Sequence, residues 1–352
     1  MIPPDPTPSI PSTTPATTPA TTSAFGPVPA PGPRPLTAAE LATVFPDDRY
    51  DRDATPLAMA VRNQILDARA QPRHPLPRPE ATRVFVVANQ KGGVGKTTTA
   101  VNMAAALAQH DLRVLIVDLD PQGNASTALG VEHGEGTPGV YEVIADGTAI
   151  AEVVQESSDT PGLFCVPATI DLAGAEIELV TLVARESRLR RALDVYLAET
   201  NGTDDRFDYI FIDCPPSLGL LTVNALVAGR EMLIPIQCEY YALEGVTQLL
   251  RNIELIKAHL NPELEISTVV LTMYDARTRL AAQVADEVRA HFADAVLHTA
   301  IPRSVRISEA PSYGQTVMTY DPGSPGALSY LEAARELAIG RDSRASQPAE
   351  AQ

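Results

Sequence analysis

Short apolar runs rich in β-branched residues recur along the chain at Val84 to Ala88, Val114 to Asp118, Tyr209 to Asp213, Met232 to Ile236 and Ile266 to Thr272. Between them lie longer stretches with apolar residues at helical spacing, such as Thr98 to Gln109, Leu189 to Glu199, Leu243 to Leu260 and Gly326 to Ile339. Runs of this kind suit strands buried between two layers rather than strands with one wet face. The alternation predicts an α/β fold, a doubly wound and mostly parallel sheet with helices on both faces. In such a fold a ligand sits at the carboxyl ends of the strands.

The first part of the chain breaks this pattern. Met1 to Pro35 is Pro, Thr, Ala and Ser with almost no large apolar residue, so it cannot bury enough surface to offset the entropy of ordering. It has neither the basic start nor the apolar core run of a signal peptide. Leu36 to Leu41 carries a capping-box pattern, and Pro56 to Arg69 has apolar residues at helical spacing, which predicts one or two short helices. The Pro/Arg run Gln71 to Pro79 reads as a linker. The expected organisation is a disordered Pro/Thr/Ala-rich extension over 1–82, one α/β domain over 83–340 and a flexible tail over 341–352. No apolar run approaches transmembrane length. Glu332 and Glu336 stand against Arg335 in the last helical stretch, so it lacks the basic face of a membrane anchor.

Candidate chemistry is concentrated in one loop. The chain has three lysines, Lys91, Lys96 and Lys257, and uses arginine elsewhere. Two of the three lie in Gln90-Lys91-Gly92-Gly93-Val94-Gly95-Lys96-Thr97-Thr98, directly after the first apolar run and at the start of a helical stretch. Here a compact ammonium on a flexible stem suits the site better than a planar guanidinium. Glycines let successive backbone N–H groups face one anion, and the following helix adds its positive end. Lys96 can reach the β- and γ-phosphates of a nucleotide and the Thr97 hydroxyl can ligate Mg²⁺, while Gly92, Gly93, Val94, Gly95 and Thr98 form the cradle. The P-loop pattern Gly-x-x-x-x-Gly-Lys-Thr is met except at its first position, which is Gln90 followed by Lys91.

Carboxylates stand where such a site needs them. Asp213 ends an apolar run and either caps the next turn or reaches the water shell of Mg²⁺. Asp118 ends another. Asp120 precedes Pro121, which disfavours helix and predicts an exposed turn, either a plain Asp-Pro turn or a group that orients an attacking water. Cys165, Cys214 and Cys238 are odd in number and without Cys-x-x-Cys spacing, which fits buried thiols in a reduced cytoplasmic compartment.

The loop with its early lysine resembles the deviant Walker A box of the ParA/MinD family of ATPases, whose P-loop NTPase fold it implies. The resemblance extends to Val114 to Asn124, Phe207 to Pro216, Pro235 to Gly245, Leu271 to Thr278 and Ile301 to Ser312, the last three being closest to the chromosomal ParA (Soj) branch. It implies ATP and Mg²⁺ as ligands and a homodimer with ATP, in which Lys91 reaches across the interface to the partner's nucleotide. By the same resemblance Asp120 orients the water, Asp213 serves the Mg²⁺ site with Thr97, Asp118 supports either the Mg²⁺ shell or the loop, and Met273, Pro302 and Ser304 lie at the base. The family usually has Asn where this chain has Ser304, and serine lacks the amide's paired donor and acceptor.

Arg277 and Arg306 match arginines that contact DNA in that branch, although the chain's formal charge is −17. An acidic whole can still present a local basic face, since exposed charges are screened beyond about 8 Å at physiological salt. The resemblance implies a cytoplasmic, nucleoid-associated partition ATPase that binds DNA without sequence preference and is released when ParB stimulates hydrolysis. Two other readings remain open: a MinD-like membrane-positioning ATPase, and a nucleotide-clamped protein that docks on a polar scaffold through its N-terminal extension. The cluster cysteines of the related nitrogenase iron protein have no counterpart in this spacing.

Overall fold

The computed structural model describes residues 75–240 and 242–340. The helices expected before Arg69 and the tail expected over 341–352 lie outside the described residues. Seven strands, β1 (Arg83–Val87), β2 (Val114–Asp118), β3 (Gln155–Glu156), β4 (Leu163–Val166), β5 (Tyr209–Asp213), β6 (Glu231–Gln237) and β7 (Glu265–Thr272), form one sheet in the order β3-β4-β2-β5-β1-β6-β7. All pairs are parallel except the edge pair β3 and β4. The five predicted strands are present. β3 and β4 add to them, each too short for an apolar run to separate it from neighbouring loops.

Period-two side-chain alternation explains why the strands are apolar throughout. Val84 and Val86 of β1, Leu115 and Val117 of β2, and Ile210 and Ile212 of β5 enter one core. That core is closed by helices Leu172–Leu179, Arg188–Thr200, Leu220–Ala228, Ala242–His259 and Arg279–Phe292. Phe85 and Val87, Val114 and Ile116, and Tyr209 and Phe211 enter a second core under helices Lys96–Ala108 and Pro325–Ile339. These three central strands are therefore desolvated on both sides, as the parallel arrangement requires. The last helix puts Ala327, Tyr330, Ala333, Ala334 and Leu337 into this second core.

β1 lies between β5 and β6, and the chain winds outward from it in both directions, so a crevice opens at the carboxyl ends of β1, β2 and β5. At the opposite ends of the strands the expected linker is already docked. Leu76 is buried in the second core, Arg78 pairs with Asp208 at 3.3 Å, Arg206 donates to the carbonyls of Pro79 and Glu80, and Thr82 donates to that of Phe207.

Candidate functional site

β1 runs directly into the glycine loop. Asn89 fixes its start, donating to the Pro235 carbonyl at 2.8 Å and accepting from Lys91 N at 3.0 Å. Thr272, the last residue of β7, fixes its middle by donating to the Val94 carbonyl at 2.8 Å. Gly95 then caps helix Lys96–Ala108 with φ 87°, the left-handed region open to glycine, while a β-carbon there would meet nothing closer than 3.9 Å. The backbone angle, not crowding, requires glycine. The helix start carries no side-chain cap and no acidic residue in its first turn, so its positive end is left to the loop.

Two carboxylates face this loop from adjacent strands. Asp118 and Asp213 are register partners across β2 and β5, and both are fully buried. Asp118 is fully engaged: Oδ1 accepts from Asp120 N at 3.2 Å, and Oδ2 from Ser126 N at 2.9 Å and Ser126 Oγ at 2.7 Å. Burial pushes its pKa up to about 6 against these bonds, with a further rise from Asp120. Neither oxygen of Asp213 has a hydrogen-bond partner among the described residues. Burial first, then Asp118, raises its pKa well above the usual carboxylate range; the Thr97 hydroxyl opposes this, Asp120 adds to it, and Lys96 opposes it. Lys96 is itself buried, which lowers its pKa, while Asp213, Cys214 and Asp120 hold it up. The site thus contains a desolvated, uncompensated carboxylate beside a desolvated ammonium, an arrangement that calls for a ligand.

The glycine loop opens on a cavity of about 380 Å³ lined by Gly92, Gly93, Gly95, Lys96, Thr97 and Thr98, with Asp120, Thr127, Met273 and Gln315 on its other walls. The turn at Pro121 and Gln122 is partly exposed as expected, but Asp120 itself is 8% exposed and lines the cavity. The turn closes inward because Asp118 holds the Asp120 amide. Of the two roles expected of Asp118, the Mg²⁺ shell or the loop, its hydrogen bonds fit the second, while Asp213 has the open oxygens. Met273 lines the cavity at φ 50°, a costly conformation for a residue with a side chain. Pro302 and Ser304 do not line it. Pro302 is bridged to Tyr274 next to Met273, and the buried Ser304 hydroxyl has no partner among the described residues.

Lys91 lies at the rim, paired with Glu239 at 3.4 Å. Arg277 and Arg306 are on the surface, each beside its own acid: Arg277 donates twice to Asp275, at 3.0 and 3.1 Å, and Arg306 pairs with Glu309 at 3.1 Å and Asp321 at 3.6 Å. The Tyr274 to Pro302 bridge joins the two segments, and the exposed Arg303 donates its amide to the Tyr274 carbonyl between them. Arg303 also helps lower the Asp275 pKa, after the larger effect of Arg277. Arg303, Asn89, Ser126, Thr272 and Glu239 were not singled out by sequence; their roles come from strand pairing, which local pattern does not reveal.

Strand, glycine loop, lysine and helix, with carboxylates at the ends of neighbouring parallel strands, define a P-loop nucleoside triphosphatase. A family profile described as an AAA domain matches residues 82–266. Sporulation initiation inhibitor protein Soj of Bacillus subtilis is 51% identical over 256 residues, 73% of this chain and 98% of that protein. Chromosome partitioning protein ParA of Caulobacter vibrioides is 50% identical over 255 residues, 72% of this chain and 93% of that protein. Cobyrinic acid a,c-diamide synthase from Mycobacterium smegmatis, solved with bound ADP and magnesium, is similar in structure with a TM-score of 0.63 and 37% identity, covering 77% of this chain and 100% of that one. The chain belongs to the Soj/ParA family of chromosome-partitioning ATPases.

Proposed function

We propose that this partition ATPase binds Mg²⁺ and ATP in the glycine-loop cavity, pairs as a homodimer in that state, and binds DNA without sequence preference until hydrolysis, stimulated by ParB, releases it. The reading places the protein in the cytoplasm on the nucleoid. The observation that carries it is Asp213, whose two buried oxygens lack partners beside Thr97 and Lys96. Among the described residues no three His, Cys, Asp or Glu side chains cluster as a metal cage, which fits a cation held mostly by phosphates and water. Thr97 and Asp213 would hold Mg²⁺, which when bound neutralises charge on the phosphate oxygens.

The remaining work is positioning. The loop amides and Lys96 bind the phosphates and fix the γ-phosphorus, and Asp118 holds the turn that carries Asp120. Gln122 N occupies Asp120 Oδ1 at 3.1 Å, leaving Oδ2 to orient a water. That water attacks the γ-phosphorus, the bond to the β–γ bridging oxygen breaks, and ADP and phosphate result. Lys91 exchanges Glu239 for the partner's nucleotide when two chains meet. Arg277, Arg303 and Arg306 offer phosphate contacts on the joined surface, and ParB supplies a basic segment to the nucleotide-bound pair.

No helix among the described residues is long and apolar enough to cross a membrane, and the apolar side of helix Pro325–Ile339 is used in the core. That counts against the MinD-like reading, which liposome flotation tests separately. The scaffold reading concerns residues before Pro75. The deciding experiment is ATP turnover measured with each combination of DNA and ParB. Turnover that rises only with both supports the proposal; turnover indifferent to ParB overturns it.

A further inference from the structure

Outside the phosphate cradle, an imidazole is built into the turn that carries Asp120. Gly123 N donates to the Asp120 carbonyl at 2.8 Å, and Gly123 caps the short helix Asn124–Ala128 with φ 61°. A β-carbon on Gly123 would stand 3.1 Å from His133 Cδ2 and 3.2 Å from the Ala168 carbonyl oxygen, so the ring and the backbone close on the turn from two sides. His133 Nδ1 lies 2.8 Å from the Val131 carbonyl oxygen, and Nε2 lies 3.1 Å from Thr127 Oγ1. Thr127 Oγ1 in turn donates to the Gly123 carbonyl at 2.9 Å, and Thr127 lines the cavity.

Counting hydrogens ties these groups together. A carbonyl only accepts, so Nδ1 carries a hydrogen, and in the neutral ring Nε2 is an acceptor. The single hydroxyl hydrogen of Thr127 then has two claimants, Gly123 O and His133 Nε2. The ring therefore stands where a side chain on Gly123 would go and bears on the turn through the hydroxyl that holds the Gly123 carbonyl. His133 is half-buried on a polar segment between Glu132 and Gly134.

We propose that His133 is a positioning residue for hydrolysis, acting through Thr127 and Gly123 to hold Asp120 toward the attacking water. The inference rests on the role of Asp120 given above. It is tested on the full chain with ATP, Mg²⁺ and DNA, measuring kcat, KM and the affinity for a fluorescent ATP analogue. His133→Phe keeps a ring at this place but drops both hydrogen bonds, of which the one to Thr127 reaches the turn, and kcat is expected to fall about 3- to 10-fold, the size of that one bond, with analogue affinity held within about twofold. His133→Gln restores a donor and an acceptor and is expected to recover most of kcat. Thr127→Val combined with His133→Phe should be little worse than either alone, since one network is broken once.

A His133→Phe protein with wild-type kcat overturns the inference. So does a fall in kcat matched by an equal loss of analogue affinity, or a His133→Gln protein no better than His133→Phe. Asp120→Ala separates the two levels: if it turns over ATP normally, the role of Asp120 itself is wrong, whereas its failure beside active His133 variants removes only the inference about His133.

Discussion

Asp213→Asn should make the nucleotide-free protein more stable, although it removes a residue placed at the reaction. Burial beside Asp118 raises the folded-state pKa of Asp213, so the folded chain keeps a proton over a pH range in which the unfolded chain has lost it. The stability this group contributes is full below about pH 4, the unfolded carboxylate value, and is lost as pH rises through the folded value. Asp118 follows the same sign, with a folded pKa of about 6. At about 1.4 kcal/mol per pH unit, ionising Asp118 alone costs the folded state about 3 kcal/mol, and Asp213 is raised in the same direction by its burial, with only the Thr97 hydroxyl and Lys96 opposing it.

Removing the Asp213 charge lifts that group's own burial penalty, against which the asparagine amide costs about 1 kcal/mol of imperfect hydrogen bonding. The net change at pH 8 is a gain. For a domain of this size each kcal/mol gained raises Tm by about 2 to 4 °C, and the gain should vanish near pH 4, where Asp213 is protonated anyway. Calorimetry of both proteins in EDTA, without nucleotide, across pH 4 to pH 8.5 checks it. With Mg²⁺ and ATP the order should reverse, because only the wild type offers the ligand a carboxylate. A variant less stable than wild type at pH 8, or one offset equally at every pH, would refute the account of Asp213 as an uncompensated buried acid.

Lys96→Ala should abolish binding of a fluorescent ATP analogue, since it removes the buried ammonium beside Asp213, whereas Lys91→Ala should spare binding and lose turnover and ATP-dependent dimerisation; equal loss of affinity in both would deny Lys91 a role across the interface. Gly92→Val should fold and bind ATP as a monomer yet fail to dimerise in size-exclusion chromatography, because a β-carbon at Gly92 meets nothing within 4 Å in its own chain. A Gly92→Val protein that dimerises on ATP contradicts this. Arg277→Ala combined with Arg306→Ala should leave ATP affinity unchanged and make the slope of log K for DNA against log salt shallower by roughly 3 to 4, four lost phosphate contacts per dimer at about 0.9 each. Anisotropy on duplexes of different composition should show the same loss, and an unchanged slope would make these arginines structural.

The phosphate cradle was legible because its chemistry is local. Gly92 to Thr98 encode the turn, the cation and the helix start in consecutive positions, and β1 declares itself by four apolar residues in a row. The division of labour between Asp118 and Asp213 was not legible. Each ends an apolar strand, and only the β2–β5 register together with Ser126 satisfies one carboxylate and leaves the other bare. The burial of the Asp120 side chain was not legible for a similar reason: Asp120-Pro121 signals a turn, and Gln122 in it is exposed, but the side to which Asp120 closes is set by Asp118. The acids beside Arg277 and Arg306 divide in the same way. Asp275 and Glu309 are close in sequence, while the approach of Arg303 to Asp275 depends on the Tyr274 to Pro302 bridge.

Arg83 opens β1 and donates to the Leu337 carbonyl at 2.9 Å, close to the end of helix Pro325–Ile339. The domain is thus entered and left at one pole, while the glycine loop occupies the other, a strand of five residues or about 16 Å away. Two chains meeting loop to loop carry their attachment points outward, on the far side of each subunit. A fluorophore or surface tether fixed at either end of the domain therefore leaves the loop face free for a partner.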